Sequence, residues 1–328
     1  MKIVIDAFGG DNAPLEIIKG ALLAKAELGH EYILTGHVDT IKACAAQNGL
    51  DLSGLELAEA PSVMDMHDNA KAVIKEKSDS SMGVGLRLVA DGVGDAFITA
   101  GPTGATLMGS TLILKRIKGV RRPALGVVMP GIGGRFLLMD CGANVECQPE
   151  MLDQFAVLGS IYMKKMYGVG HPRVGLANNG AEDSKGTPLQ IAAYRLLAKN
   201  PKINFCGNAE GRDIPSGHYD VVVADGFTGN MILKVSEGVG LFFAAQLEEM
   251  FTKNLGSKMA ALMVNSGLKE FKRRNDHNEV GGAPIIGLKK PVAKAHGSSD
   301  AKSFKNGIRQ IIRWSESGVA QELEAAFE

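Results

Sequence analysis

Met1-Lys2-Ile3-Val4-Ile5-Asp6-Ala7-Phe8-Gly9-Gly10-Asp11-Asn12-Ala13-Pro14 opens the chain. Lys2–Asp6 is a β-branched apolar run that ends on a carboxylate, the pattern of a strand buried on both faces. Gly9 and Gly10 free the backbone for a turn, and Pro14–Leu28 then takes up helical periodicity. Adjacent glycines at a helix start leave N–H groups able to face an anion. The phrase recurs along the chain. Strands are expected at Glu31–Thr35, Ala96–Thr99, Leu125–Met129, Arg135–Asp140, Arg173–Ala177, Ile203–Cys206 and Val221–Ala224, and helices at Gly104–Ile117, Pro149–Met166 and Pro188–Ala198. This alternation specifies an α/β fold, a doubly wound, mostly parallel, Rossmann-like sheet with helices on both faces. Ligands of such sheets sit beyond the C-terminal strand ends, where Asp6, Gly101, Asp140, Asn178, Asn208 and Asp225 fall.

The rhythm breaks between residues 231 and 275. Two amphipathic helices, Met231–Lys253 and Lys258–Arg273, are expected to form a protruding hairpin hinged near Asn254–Ser257. Ser298-Ser299-Asp300 is a good cap for a last helix carrying Phe304, Ile308, Ile311 and Ile312 at helical spacing. No linker or internal repeat divides the chain, so residues 1–328 are expected to form a single domain.

The chain has 328 residues, near the upper limit for one core, and 45% hydrophobic with 22% charged residues is ordinary globular composition. Lys plus Arg is 36 and Asp plus Glu is 36, so no global basic charge points to nucleic acid, and none is expected as a partner. No stretch approaches the length of a spanning helix, and the first residues read as strand and not as a signal peptide. The four dispersed cysteines fit no common zinc spacing and suit a reducing cytoplasmic setting.

Several polar and glycine-rich stretches could carry chemistry. Neither the Gly9-Gly10 loop nor Gly83-Val84-Gly85 completes a dinucleotide fingerprint. Gly101-Pro102-Thr103-Gly104-Ala105-Thr106 is similar to a phosphate loop but lacks the Gly-Lys-Ser/Thr ending of an ATP site. Singly, each also reads as an unliganded turn. Asn178-Asn179-Gly180-Ala181-Glu182-Asp183-Ser184-Lys185-Gly186 packs carboxamides, carboxylates and a lysine between a strand and a helix. Asp225-Gly226-Phe227-Thr228-Gly229-Asn230 repeats the theme. His296-Gly297-Ser298-Ser299-Asp300 sets an imidazole beside a helix start. A solvated loop is the alternative reading of each, and their recurrence points to a shared cleft. Cys141, with no histidine near it in sequence, reads as a small buried thiol and not as an acyl-bearing nucleophile.

Asp6–Pro14, Ile98–Ala105, Asp140–Asn144, Asn178–Gly186, Asn204–Asp213, Asp220–Asn230, Gly281–Gly287 and Lys294–Asp300 together resemble, in order and spacing, the signature blocks of the PlsX family of bacterial phosphate acyltransferases. Phe8, Asn12, Asn69 and Pro102 depart from the family's usual Met, His, Pro and Asn. The resemblance implies a fold like that of phosphotransacetylases and isopropylmalate dehydrogenases. It also implies transfer of a long-chain acyl group from acyl carrier protein to inorganic phosphate, feeding phospholipid synthesis, with no cofactor and no metal. On that reading Lys185 and Asn230 meet phosphate or oxyanion charge, His296 acts as base or acid, and Asp225 orients them. Substrate contacts are expected from Asp6, Gly9, Gly10, Asp11, Gly101, Thr103, Gly104, Asn179, Glu182, Thr228, Gly229, Ser298 and Asp300.

The resemblance further implies a homodimer and peripheral contact with the inner face of the cell membrane through the hairpin, near a downstream glycerol-3-phosphate acyltransferase. Lys253, Lys258, Lys269, Lys272, Arg273 and Arg274 suit such a surface. The run Lys115-Arg116-Ile117-Lys118-Gly119-Val120-Arg121-Arg122 reads as a solvated helix end or as a dock for the acidic carrier. Two other functions are an acyl-CoA phosphotransacetylase and an inert membrane-associated acyl-binding scaffold. An NAD-dependent dehydrogenase would need a glycine fingerprint that no stretch completes.

Overall fold

The computed structural model describes residues 1–268, 270 and 281–328. Its strands are β1 (Lys2–Asp6), β2 (Glu31–Gly36), β3 (Glu56–Glu59), β4 (Ala96–Thr99), β5 (Ala124–Gly131), β6 (Gly134–Met139), β7 (Arg173–Asn178), β8 (Asn204–Glu210), β9 (Val221–Val223), β10 (Ala283–Ile286) and β11 (Val292–Lys294). Its helices are α1 (Leu15–Leu28), α2 (Val38–Gln47), α3 (Ser81–Ala90), α4 (Thr103–Gly109), α5 (Pro149–Tyr167), α6 (Pro188–Leu197), α7 (Gly226–Thr252), α8 (Leu255–Met263), α9 (Ala301–Glu316) and α10 (Val319–Phe327).

The strands join into one sheet in the order β3-β2-β1-β4-β11-β10-β5-β6-β9-β7-β8. Alternation along each strand serves two faces. Ile3 and Ile5 of β1 meet Ile17, Ile18, Phe304 and Ile308 of α1 and α9, whereas Val4 points to the opposite face with Met82 and Leu86 of α3. Leu137 and Met139 of β6 meet Phe155 and Tyr162 of α5, and Leu138 points away towards the side where α7 packs Ile232 and Leu233. Helices thus cover both faces of a mostly parallel sheet, as the sequence led one to expect.

Strand direction positions the site. β3, β2, β1, β4 and β11 are mutually parallel, and so are β6, β9, β7 and β8. Antiparallel pairings of β10 with β11, β10 with β5, and β5 with β6 set the two blocks in opposite directions. Each step across a sheet rotates the strand by roughly 20–25°. Over the steps from β1 to β9 this accumulates to on the order of 120–150°, which turns opposed strand directions towards one another. The C-terminal ends of the two blocks are therefore turned towards the same side of the sheet and not towards opposite edges.

Four local readings are corrected. Gly83-Val84-Gly85 is no loop: it lies inside α3, packed on the sheet, because Ser80 caps the helix by accepting from Gly83 N. The helix expected over Gly104–Ile117 ends early. It opens into a wider turn at Ser110–Leu114, and Lys115 then takes φ 67°, so the basic run leaves the helix altogether. α7 starts at Gly226 and not at Met231, because Asp225 is its cap. The second hairpin helix begins at Leu255 and not at Lys258, since Asn254 accepts from Ser257 N and caps it; Lys269, Lys272, Arg273 and Arg274 lie outside the described residues. Ile232 and Leu233 pack on the core, whereas Leu241, 71% exposed, and Leu262, 76% exposed, do not. Among the described residues no helix is long and apolar enough to cross a membrane.

Candidate active site

The first block ends in three loops knitted together. Asp6 is buried at the end of β1; its Oδ2 accepts from Thr99 Oγ1 at 2.7 Å and its Oδ1 from Phe8 N at 3.2 Å. Burial raises the Asp6 carboxyl above its ordinary range, and hydrogen bonds to Oδ1 and Oδ2 oppose that rise. Thr99 Oγ1 in turn accepts from Gly101 N at 2.8 Å. A Cβ on Gly9 would stand 2.6 Å from Gly101 N and from Thr99 Oγ1, so only glycine lets the two loops touch. Asp11 N donates to Gly297 O at 2.8 Å, and Asn12 Nδ2 donates to Ser298 O at 3.2 Å. Thr103 and Gly104 open α4 on the same side.

His296 is exposed in the third loop. Its Nδ1 lies 2.8 Å from Ser298 Oγ and accepts from Ser298 N at 3.3 Å. A ring nitrogen that accepts from a backbone N–H carries no proton, so in the neutral ring the proton sits on Nε2. Asp300 caps α9, accepting from Ser303 N at 2.8 Å, and the Ser303 N–H holds its carboxyl below the usual range.

The second block supplies the other group. Lys185 is exposed, its stem folded over Gly180. Asn178 Nδ2 donates to Lys185 O at 3.1 Å and Asn208 Nδ2 donates to Glu182 O at 2.7 Å, which pins the loop that carries Glu182, Asn179 and Lys185. Asp225 is buried with both oxygens engaged: Oδ1 accepts from Thr228 N at 2.9 Å and Oδ2 from Thr228 Oγ1 at 2.8 Å. Its carboxyl therefore fixes the start of α7. Thr228, Gly229 and Asn230 are first-turn helical residues and not a loop. Asn230 is exposed beside Gly142, whose added Cβ would lie 3.6 Å from Asn230 Cγ. Beneath, buried Asp140 accepts from Leu125 N at 2.9 Å and Asn144 Nδ2 at 3.0 Å, bracing the turn on which α7 rests. Cys141 is buried, and burial pushes its thiol well up, which suits a packing role.

Two lysines were missed. Lys294 ends β11, and its Nζ donates to Ala100 O at 3.2 Å and to Ala295 O, tying two of the three loops. Burial lowers it to about 8, against the attraction of Asp11 and Asp6, and Lys234 pushes in the same direction. Lys234 lies in α7 and pairs with Glu237 at 2.8 Å. A lysine ending a three-residue strand, just before His296, was the available signal.

The basic run gains members from elsewhere in the chain. Arg116 bridges Leu288 and Lys289 N donates to Lys115 O at 3.1 Å, so Lys289 and Lys290 adjoin it. Arg121 NH1 donates to Gln148 Oε1 at 2.9 Å and Asn144 Nδ2 to Pro123 O at 2.9 Å, placing the run against the turn under α7.

Residues 1–322 match the model of a family described as "Fatty acid synthesis protein". A phosphate acyltransferase of Caldanaerobacter subterraneus subsp. tengcongensis is 46% identical over 94% of this chain and 92% of its own length. One from Thermoanaerobacterium thermosaccharolyticum is 42% identical over 100% and 97%. The chain belongs to the PlsX family of phosphate acyltransferases. Family membership makes it an acyltransferase of lipid biosynthesis. Its fold is that of a phosphotransacetylase from Streptococcus pyogenes, with a TM-score of 0.67 at 18% identity covering 97% of this chain and 94% of that one. A 4-hydroxythreonine-4-phosphate dehydrogenase from Klebsiella pneumoniae shares the fold at a TM-score of 0.56 and 13% identity, covering 96% and 99%.

Proposed function

We propose that the chain transfers a long-chain acyl group from the thioester of acyl carrier protein to inorganic phosphate. A phosphate oxygen attacks the thioester carbonyl, the C–S bond breaks, and the proton of HPO₄²⁻ ends on the departing sulfur. The observation that carries this reading is the contact of the Gly9, Gly101 and Gly297 loops around Asp6 at one strand-end cluster. The N–H groups of Phe8, Gly101 and Asp11 knit the loops together by donating to Asp6, Thr99 and Gly297, and the loop face they shape receives the phosphate. Lys185 and Asn230 face it from the other block and hold the tetrahedral oxyanion. His296, with its proton on Nε2, acts as a donor to developing negative charge and not as the base. Asp225 and Asp300 act through the helix starts they cap. Fixing phosphate against the carbonyl supplies up to ~7–11 kcal/mol, and each oxyanion donor about 2.7–4 kcal/mol.

The carrier, an acidic protein, docks on the basic run that borders Asn144 and Gln148. The exposed apolar flank of α7 and α8 serves contact between two copies of the chain and with the membrane face where a glycerol-3-phosphate acyltransferase takes the product. Residues 1–328 then work as one domain at the cytoplasmic surface.

Trapping acyl phosphate with hydroxylamine tests the reading, using acyl carrier thioester, acyl-CoA and the variant Lys185→Ala. Product from the carrier thioester, lost in the variant, is expected. No product from either thioester, despite carrier binding, would leave an inert acyl-binding scaffold.

A further inference from the structure

Asp6, Thr99 and Lys294 are the last residues of β1, β4 and β11, three adjacent parallel strands. Lys294 and Thr99 stand side by side in the register, and their side chains converge on one peptide unit, the bond between Ala100 and Gly101. Lys294 Nζ donates to its carbonyl oxygen, Ala100 O, at 3.2 Å. Thr99 Oγ1 accepts from its N–H, that of Gly101, at 2.8 Å. In a trans peptide such as this one the C=O and N–H point in opposite directions, so holding both stops the plane from rotating. Each arm of the clamp is itself anchored. The single Thr99 hydroxyl proton goes to Asp6 Oδ2 at 2.7 Å, and Lys294 Nζ also donates to Ala295 O. Gly10 closes in from the neighbouring loop: it has φ 98°, and its missing Cβ would stand 2.9 Å from Ala100 Cβ. The turn that leaves this peptide, Gly101-Pro102-Thr103-Gly104, has Pro102 without an N–H, and no side chain caps α4. Its direction is therefore set by the peptide behind it.

We infer that Lys294 and Thr99 are positioning residues for phosphate: they clamp the Ala100–Gly101 peptide so that the Gly101–Gly104 turn offers the anion a fixed face. This deepens the acyl-transfer reading and rests on it for the identity of the ligand as inorganic phosphate. Neither side chain has to touch that phosphate. Lys294 spends two N–H groups on carbonyls, and Thr99 is fully buried with its proton and a lone pair both engaged. Releasing either arm lets the plane rotate. Phosphate then loses its seat, while the acyl thioester, met by Lys185 and Asn230 from the other block, keeps its own.

The test uses the full chain and reads phosphate binding apart from turnover. Inorganic phosphate is titrated by calorimetry into wild type, Lys294→Met, Thr99→Val, Thr99→Ser and the double variant Lys294→Met with Thr99→Val. KM values for phosphate and for the acyl thioester are then measured on the same preparations. Phosphate Kd and KM are expected to rise about tenfold in Lys294→Met and in Thr99→Val, with KM for the thioester within about twofold. Thr99→Ser keeps the hydroxyl and should stay within about threefold of wild type. Both arms hold one peptide, so the double variant should lose little more than either single one, and not about a hundredfold. Equal rises in the two KM values, a serine variant no better than valine, or additive losses would each overturn the inference. Should Lys294→Met fold poorly, the comparison of Thr99→Val with Thr99→Ser still decides. Phosphate affinity that follows these variants in a protein making no acyl phosphate would sink the acyl-transfer reading and leave the clamp standing.

Discussion

A Cβ placed on Gly229 would stand 1.9 Å from the carbonyl oxygen of Asp140. The first turn of α7 therefore rests backbone to backbone on the turn that follows β6, and Gly226 N adds a hydrogen bond to Asn144 O at 2.7 Å. Both partners are main chain, so neither can swing aside. Gly229→Ala is expected to cost about 3 kcal/mol or more and to displace Asn230, abolishing activity. Denaturant unfolding alongside acyl phosphate assays checks this; an active variant of wild-type stability would contradict it.

Lys185 is exposed and its side chain is not part of the core, so Lys185→Ala is expected to fold like wild type. Its kcat/KM is expected to fall about 10²–10³-fold if the ammonium meets the oxyanion. Thermal unfolding and steady-state kinetics on one preparation separate the two effects.

The Ser298 N–H bond to His296 Nδ1 separates a donor from a base. A glutamine side chain can donate a hydrogen bond but cannot take up a proton near neutral pH. His296→Gln should therefore recover about tenfold of the rate that His296→Ala loses. Equal losses in the two variants would return His296 to the role of base.

Lys118 and Arg122 lie in the basic run beside the α7 turn. Lys118→Glu with Arg122→Glu should raise KM for the carrier thioester about tenfold and leave KM for phosphate within twofold, with the difference shrinking as salt is added. Equal changes in both constants would remove this run as the dock.

Arg173 and Asp220 tie the starts of β7 and β9, with Nε to Oδ2 at 2.9 Å and NH2 to Oδ1 at 3.0 Å. Burial pushes the Asp220 carboxyl up, but the Arg173 guanidinium and backbone N–H outweigh it and hold it below its ordinary value. A depressed carboxyl adds stability above its unfolded value near ~3.9 and loses it as pH falls through the folded one. Since Arg173 is partly exposed, Asp220→Asn should cost only about 1 kcal/mol at pH 7, with the difference from wild type vanishing in acid. Unfolding curves across pH 2–7 would show it.

Continuous apolar runs such as Lys2–Asp6 and Val221–Ala224 were legible because they suit burial on both faces. β10 and β11 were not, because Pro284 interrupts one and the other, Val292–Lys294, is short and ends on a lysine. α7 hid its start because Gly226, Thr228 and Gly229 are poor helix formers; the signal lay in Asp225, whose cap and the Asp140 turn beneath it override propensity. The glycine loops and His296 could be placed at strand ends from sequence alone. Lys294 could not be, because what makes it unusual is its burial among loops remote in the chain, where its Nζ donates to Ala100 O and Ala295 O.

The antiparallel pair β10 and β5 sits between the two blocks, so among the described residues the blocks are joined through the sheet itself. An enzyme whose lobes hang on a flexible linker opens by rotation at a few bonds. Here the lobes share one hydrogen-bonded fabric, so the gape of the cleft is a torsional strain of the sheet itself. Gly126 in β5, whose missing Cβ would meet Leu137 Cδ1 at 3.0 Å and Ile286 Cδ1 at 3.3 Å, lies in the part that must twist. Substitutions there act like a change of spring constant, setting the spacing between Lys185 and His296 from behind without touching either.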